Sequence, residues 1–189
     1  MKRNGFSLIE LLLVIAIIGI LVGLAGPGFM RFVTKNRIES QTKRLYADIM
    51  NARVRAMDRN MTHFVVFNYL GNTNQYAIIA DTNGDNVTAD PYTGDTQVLV
   101  RTTQGGADSG HFGFSNAVPQ NQTMTAANLG NQVVINARGM ASGSAGTICI
   151  ANVASTGVQP SCNCIVVNTT QIRMGKINLG DTCDAPHCK

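Results

Sequence analysis

The chain has 189 residues, 44% of them hydrophobic and 14% charged, with a net charge of +4. These proportions suit one folded domain plus one apolar segment. The excess of positive charge is too small to argue for nucleic-acid binding from total charge alone.

From the N-terminus, a short basic stretch, MKRNG, precedes GFSLIELLLV, in which Glu10 is the one charge between Phe6 and Met30. Residues 11–30, LLLVIAIIGILVGLAGPGFM, supply twenty uncharged positions. At about 1.5 Å per residue they make roughly 30 Å of helix, one hydrocarbon core. A secretory signal peptide is the ordinary alternative, and Gly23-Leu24-Ala25 has the small residues of a cleavage site. The sequence nevertheless runs on into a helical pattern instead of a loop, so a retained single span is expected. Lys2 and Arg3 place its N-terminal end on the cytoplasmic side and the rest outside. A carboxylate in hydrocarbon is costly unless paired, which makes Glu10 a functional residue by default. Pro27, which has no N–H to donate, predicts a kink or local melting near the end of this segment.

RFVTKNRIESQTKRLYADIMNARVRAMDRN reads as an amphipathic helix, with Ile38, Leu45, Ile49, Ala52 and Ala56 on one face. Residues 31–59 hold eight of the fifteen Lys and Arg against Glu39, Asp48 and Asp58, a composition suited to a surface near anionic headgroups. From residue 62 the period changes. THFVVFNYL and QYAIIA read as strands around the turn GNTN, and TQVLVR as a third. Residues 103–131 are rich in Gly, Asn, Gln and Ser and read as loop, with HFGFS a short strand candidate. QVVINARG, GTICIAN, CIVVN and QIRMGKI supply further strands. The expected fold class is α+β, a long N-terminal helix packed on a C-terminal antiparallel β domain. Its parts are the basic stretch 1–5, the apolar membrane helix 6–30, the amphipathic helix 31–60 and the β domain 61–189.

Cys149, Cys162, Cys164, Cys183 and Cys188 all fall in the last 41 residues. An exported domain meets oxidising conditions, so disulfides are expected, and five cysteines leave at least one unpaired within the chain. Connectivity stays open, although Cys183 and Cys188 are close enough to close a short terminal loop. The spacings do not fit zinc or haem.

DTNGDNVTAD places Asp81, Asn83 and Asp85 at the alternating spacing of calcium ligands. The glycine stands fourth, however, and the twelfth position is Tyr92, so a plain Asn-Gly hairpin turn is favoured and no cofactor is expected. His63, His111 and His187 lack an accompanying acid and nucleophile pattern, and a non-enzyme is expected.

The arrangement MKRNG|F with Glu10 at the fifth position after the bar resembles the type IV pilin-like family. The resemblance implies cleavage between Gly5 and Phe6 by a prepilin peptidase, N-methylation of Phe6, and assembly with other pilin or pseudopilin subunits. Losing Lys2 and Arg3 leaves thirteen bases against eleven acids. Pro27 falls where many family members carry proline, and Glu10 and Pro27 become assembly residues. A cationic N-terminus on an adjacent subunit is a suitable partner for Glu10, because charges attract strongly in a low dielectric. Asn36, Arg37, Ser40, Gln41, Leu45, Ala52, Arg53 and Ala56 resemble the first-helix pattern of the GspH/FimT branch of minor pilins and pseudopilins. DTNGD and the Arg138-Gly139 pair resemble later elements of that branch. The implied location is the bacterial inner membrane, with the C-terminal domain in the periplasm, and then a pilus or pseudopilus.

DNA-uptake members of the branch carry Gly-Arg-x-Arg, whereas VVNTTQIRMGK has Thr170 and Gln171 at the first two places. The remaining candidate DNA contacts, Arg173 and Lys176, are few for a binding mode that scales with neutralised phosphates. The expected role is therefore a minor pilin at or near a type IV pilus tip. A minor pseudopilin of a type II secretion system and a DNA-binding minor pilin are the alternatives.

Overall fold

The computed structural model describes residues 7–71, 75–85, 94–102, 113–115, 123–127, 132–142, 145–150, 159–178 and 181–189. Side chains are described throughout these ranges except at 24–28, 30, 31, 71, 113–115 and 123–127. Met1–Val33 form one unit and Thr34–Lys189 a second.

A single α-helix, α1 (Leu8–Arg59), runs for 52 residues. The Ser7 carbonyl accepts the first hydrogen bonds, from the N–H groups of Glu10 and Leu11. Ser7 and Glu10 also stand at the Ser-x-x-Glu spacing of a capping box, a start signal that the sequence contains and that periodicity does not report. The expected local melting at Pro27 does not occur, and the helix is continuous there. Pro27 has no N–H to give the Gly23 carbonyl, so the helix runs on there with one bond fewer. At the other end Asn60 adopts φ 51 and the Met61 N–H returns to the Ala56 carbonyl at 3.2 Å. That is a left-handed residue followed by a six-to-one bond, which stops a helix sharply.

Two sheets follow. In the first, β1 (His63–Phe67), β2 (Gln75–Ala80), β3 (Thr96–Thr102) and β6 (Gln132–Ile135) lie in the order β3-β2-β1-β6, all antiparallel. In the second, β4 (Gly113–Ser115), β5 (Thr123–Ala127), β7 (Gly146–Ile150), β8 (Cys164–Val167) and β9 (Ile172–Gly175) lie in the order β4-β5-β7-β8-β9. Its pairs are antiparallel except β4 with β5, which run parallel. The fold is therefore α+β, as the sequence implies. Strand β5 departs from the expected loop at 103–131. Its TMTAA holds one large apolar residue among small and polar ones, too weak a pattern to read alone. Most of that stretch, and residues 72–74 of the GNTN turn, lie outside the described residues.

One core joins the helix to both sheets. Ile38, Leu45, Ile49, Ala52 and Ala56 of α1 are each 0% exposed, as their spacing predicts. They share a cluster with Val65, Phe67, Tyr76, Ile78, Val133 and Ile135 of the first sheet and Ile148, Ile150, Ile165, Val167 and Ile172 of the second. Full burial of one such side chain is worth about 1.5–3 kcal/mol. Phe64, Val66, Ala77 and Ile79 form a separate cluster on the opposite side of β1 and β2. Burial of both faces explains why HFVVF is a continuous apolar run with no alternation. A third cluster, Cys149, Cys164, Val166, Ile177, Cys183 and Cys188, covers the other side of β7 and β8.

Candidate functional site

The N-terminal stretch of α1 is apolar and uncovered. Every described side chain from Leu8 to Val22 is exposed, from 46% at Val14 to 77% at Leu8 among the large hydrophobics. A contiguous apolar surface of this kind marks an interaction site. Among the described residues, no helix is long and apolar enough to cross a membrane. Within the twenty-residue stretch at 11–30, side chains are described only at 11–23 and 29. Glu10 lies in the first turn of α1, where an exposed carboxylate also complements the positive end of the helix dipole. Gly5 and Phe6, the cleavage pair, lie outside the described residues, and so does the side chain of Pro27.

Three polar attachments fasten the second half of α1 to the β layers. Asp48, 5% exposed, accepts a 2.7 Å hydrogen bond from the Tyr76 hydroxyl and a 3.3 Å contact from Arg101 Nε. Burial, and then the Asp48 carboxylate, raises the Tyr76 phenol far above its usual pKa, so it remains a donor. Glu39 Oε1 accepts the Ser161 N–H at 2.7 Å, and this bond holds the Glu39 carboxyl below its ordinary pKa. Arg53 Nη2 donates to the Thr170 carbonyl at 3.3 Å. Sequence periodicity missed these contacts, yet Gln41, Thr42 and Asp48 interrupt the buried stripe and mark where polar partners are needed.

The Arg138-Gly139 pair sits in a turn closed by Asn136, whose Oδ1 accepts the N–H groups of Arg138 and Met140, both at 3.0 Å. Gly139 has φ 73, and a Cβ there would stand 2.7 Å from Met57 Sδ on α1. The left-handed conformation favours glycine, and the contact with Met57 is with a flexible side chain.

The 81–85 turn closes on itself. Asp81 Oδ1 accepts the Gly84 N–H at 2.7 Å, and Asn83 exchanges hydrogen bonds with Asp85. Carboxylate oxygens of Asp81, Asp85 and Asp95 lie within 4.8 Å of one another, a hard-oxygen set of the kind calcium accepts. Asp95 enters this group from the far side of the loop and was not singled out in the sequence. Its carboxyl is raised in pKa by burial and by the charges of Asp81 and Asp85, opposed by the Thr82 N–H bond. Asn83 lies among its own loop partners, with Oδ1 accepting the Asp85 N–H at 3.1 Å.

The candidate DNA contacts are occupied within the fold. Arg173 Nη2 donates to the Ala185 carbonyl at 3.2 Å, and Lys176 Nζ to Gln159 Oε1 at 3.3 Å. The histidines do not converge. His63 is buried in β1, His187 pairs with Asp184 at 2.5 Å near the C-terminus, and His111 lies outside the described residues. The backbone N–H of His187 is the leading cause of the lowered Asp184 pKa.

Cysteine connectivity differs from the short terminal loop that the sequence allowed. Cys149 pairs with Cys183 and Cys164 with Cys188, leaving Cys162 as the free thiol. The tail lies against β7 and β8, so each of its cysteines meets a strand cysteine. Burial raises the Cys162 pKa, opposed by Lys43 and supported by Glu39.

Residues 1–26 match the family model for the prokaryotic N-terminal methylation motif. The match covers 26 of the 189 residues, the stretch that holds Gly5, Phe6 and Glu10. Comparison with curated proteins and with solved structures returns no match.

Proposed function

We propose that the chain is a minor pilin of the GspH/FimT type, an inner-membrane precursor cut between Gly5 and Phe6, methylated on Phe6 and assembled at or near the tip of a type IV pilus. The observation that supports this reading best is the methylation motif at residues 1–26, continued by an apolar helix surface left uncovered from Leu8 to Val22. The apolar half of α1 leaves lipid for a filament core, and Glu10 sets register against the amine of a neighbouring Phe6. The β domain is then displayed to adjacent subunits. No metal or cofactor takes part in this role. DNA capture stays the second alternative, with Arg173 and Lys176 as its few candidate contacts, each making one hydrogen bond within the fold.

Mass spectrometry of the mature protein tests the processing step. The expected N-terminus is methylated Phe6, and any other refutes the reading. Glu10→Leu is expected to be processed normally but to remain in the membrane fraction. Recovery of that variant in sheared filaments at the wild-type level would remove Glu10 from assembly. Deletion separates pilus from secretion roles, because loss of pili supports the first and retained exoproteins with intact pili support a type II secretion pseudopilin.

A further inference from the structure

The two disulfides interleave in sequence order, first with third and second with fourth, and both tie β7 or β8 to the C-terminal tail. Cys149 and Cys164 are themselves register partners across the β7–β8 ladder. The adjacent pair, Ile150 and Asn163, carries the hydrogen bond, from Ile150 N–H to the Asn163 carbonyl at 2.8 Å. Antiparallel ladders alternate, so Cys149 and Cys164 occupy a non-hydrogen-bonded pair, where Cα atoms stand about 4.5 Å apart and side chains are closest. That spacing lies inside the roughly 4.4–6.8 Å window of disulfides. Both side chains also point to the same face of the sheet, into the cysteine-rich cluster.

We propose that oxidation of this chain first joins Cys149 to Cys164 and Cys183 to Cys188, and that the native pairs arise by a subsequent disulfide isomerisation. The non-native pairs close sequence separations of fifteen and five residues (149 to 164 and 183 to 188), against 34 and 24 in the native pairs. Chain-closure probability falls roughly as the three-halves power of loop length, which favours the short loops about threefold and tenfold. The tail docks only by a fitted approach: a Cβ at Gly175 would stand 2.9 Å from both Cys188 Sγ and the Lys189 carbonyl. Lys176 and Lys189 then exchange backbone hydrogen bonds, and the Asn163 side chain brackets Ile177 from both sides.

The chemistry balances without a net redox change. A catalytic thiolate, supplied by a dithiol isomerase, attacks Cys164 Sγ, forms a mixed disulfide and releases the Cys149 thiolate. Cys149 attacks Cys183 Sγ and expels the Cys188 thiolate. Cys188 attacks Cys164 Sγ and returns the isomerase thiolate. The partner class is therefore a disulfide isomerase in addition to an oxidant, and the inference does not depend on the pilin reading.

The test refolds the full chain in detergent, with Cys162→Ser to remove the fifth thiol. Reduced, unfolded protein is oxidised with oxidised glutathione, quenched by alkylation over time and mapped by mass spectrometry. The expected early species contain Cys149–Cys164, and adding a disulfide isomerase converts them to Cys149–Cys183 and Cys164–Cys188. A Cys183→Ser/Cys188→Ser variant is expected to join Cys149 to Cys164 fully. That variant requires the second sheet to form without its tail, so the time course with all four cysteines is decisive. Native pairs forming first, with no Cys149–Cys164 at any time, would overturn the proposal.

Discussion

His63 is a base held neutral by its surroundings. Its side chain is fully buried, and Nδ1 must be the protonated nitrogen because it faces the Met61 carbonyl at 3.2 Å, which can only accept. Nε2 is then bare, and among the described residues no hydrogen-bond partner reaches it. Burial pushes the pKa below the ordinary 6.5, and Arg59 and Arg55 push it the same way against the Met61 bond. A base depressed in the fold binds protons more readily when unfolded. Its contribution to stability is therefore complete above about pH 6.5 and is lost as pH falls from there through the folded pKa. The loss has a slope of at most about 1.4 kcal/mol per pH unit. His63→Leu should flatten this limb: in detergent, the wild-type-minus-variant difference in unfolding midpoint should shift against wild type from pH 7.5 to 5. A pH-independent difference would show that His63 does not titrate in the fold.

At the scale of elements, α1 is fixed by side chains of different kinds along one helix. Leu45→Ala truncates a fully buried member of the core cluster and is expected to cost about 2–5 kcal/mol. Gly139→Ala adds a single methyl group in the left-handed region, where the penalty is about 1–2 kcal/mol. Met57 can swing aside because it is 47% exposed, so the clash adds little. Chemical denaturation should rank the two in that order, and a larger loss at Gly139 would mean that the turn, and not the stripe, governs docking. The stripe itself was legible because helical spacing reports a buried face directly. The Asn60 stop was legible only as a residue type, since its left-handed conformation depends on the Met61 return bond.

For the whole molecule, the strands rich in Val, Ile and Phe were readable, as was the N-terminal motif whose model matches residues 1–26. Three features were not. Strand β5 has too little apolar content to show a period. Cysteine pairing follows where the tail lies in three dimensions, which nearness in sequence left open. The Asp81, Asp85 and Asp95 group joins its third acid to residues ten or more away in the chain, so that acid was invisible to motif spacing. Every core residue and both disulfides fall within Thr34–Lys189. A fragment beginning at Thr34 is expected to unfold in one cooperative transition and to keep both disulfides. A broad, non-cooperative melt monitored by circular dichroism would show that the preceding segment contributes to the core.

The attachments at Glu39, Asp48 and Arg53 have a mechanical consequence. They grip one rod at three levels and reach three separate places, the residue before Cys162, strands β2 and β3, and the β8–β9 turn. A pull along the axis of α1 loads these bonds together, in shear, and cannot peel them one after another. The second half of the rod is therefore held most firmly against sliding along its own length.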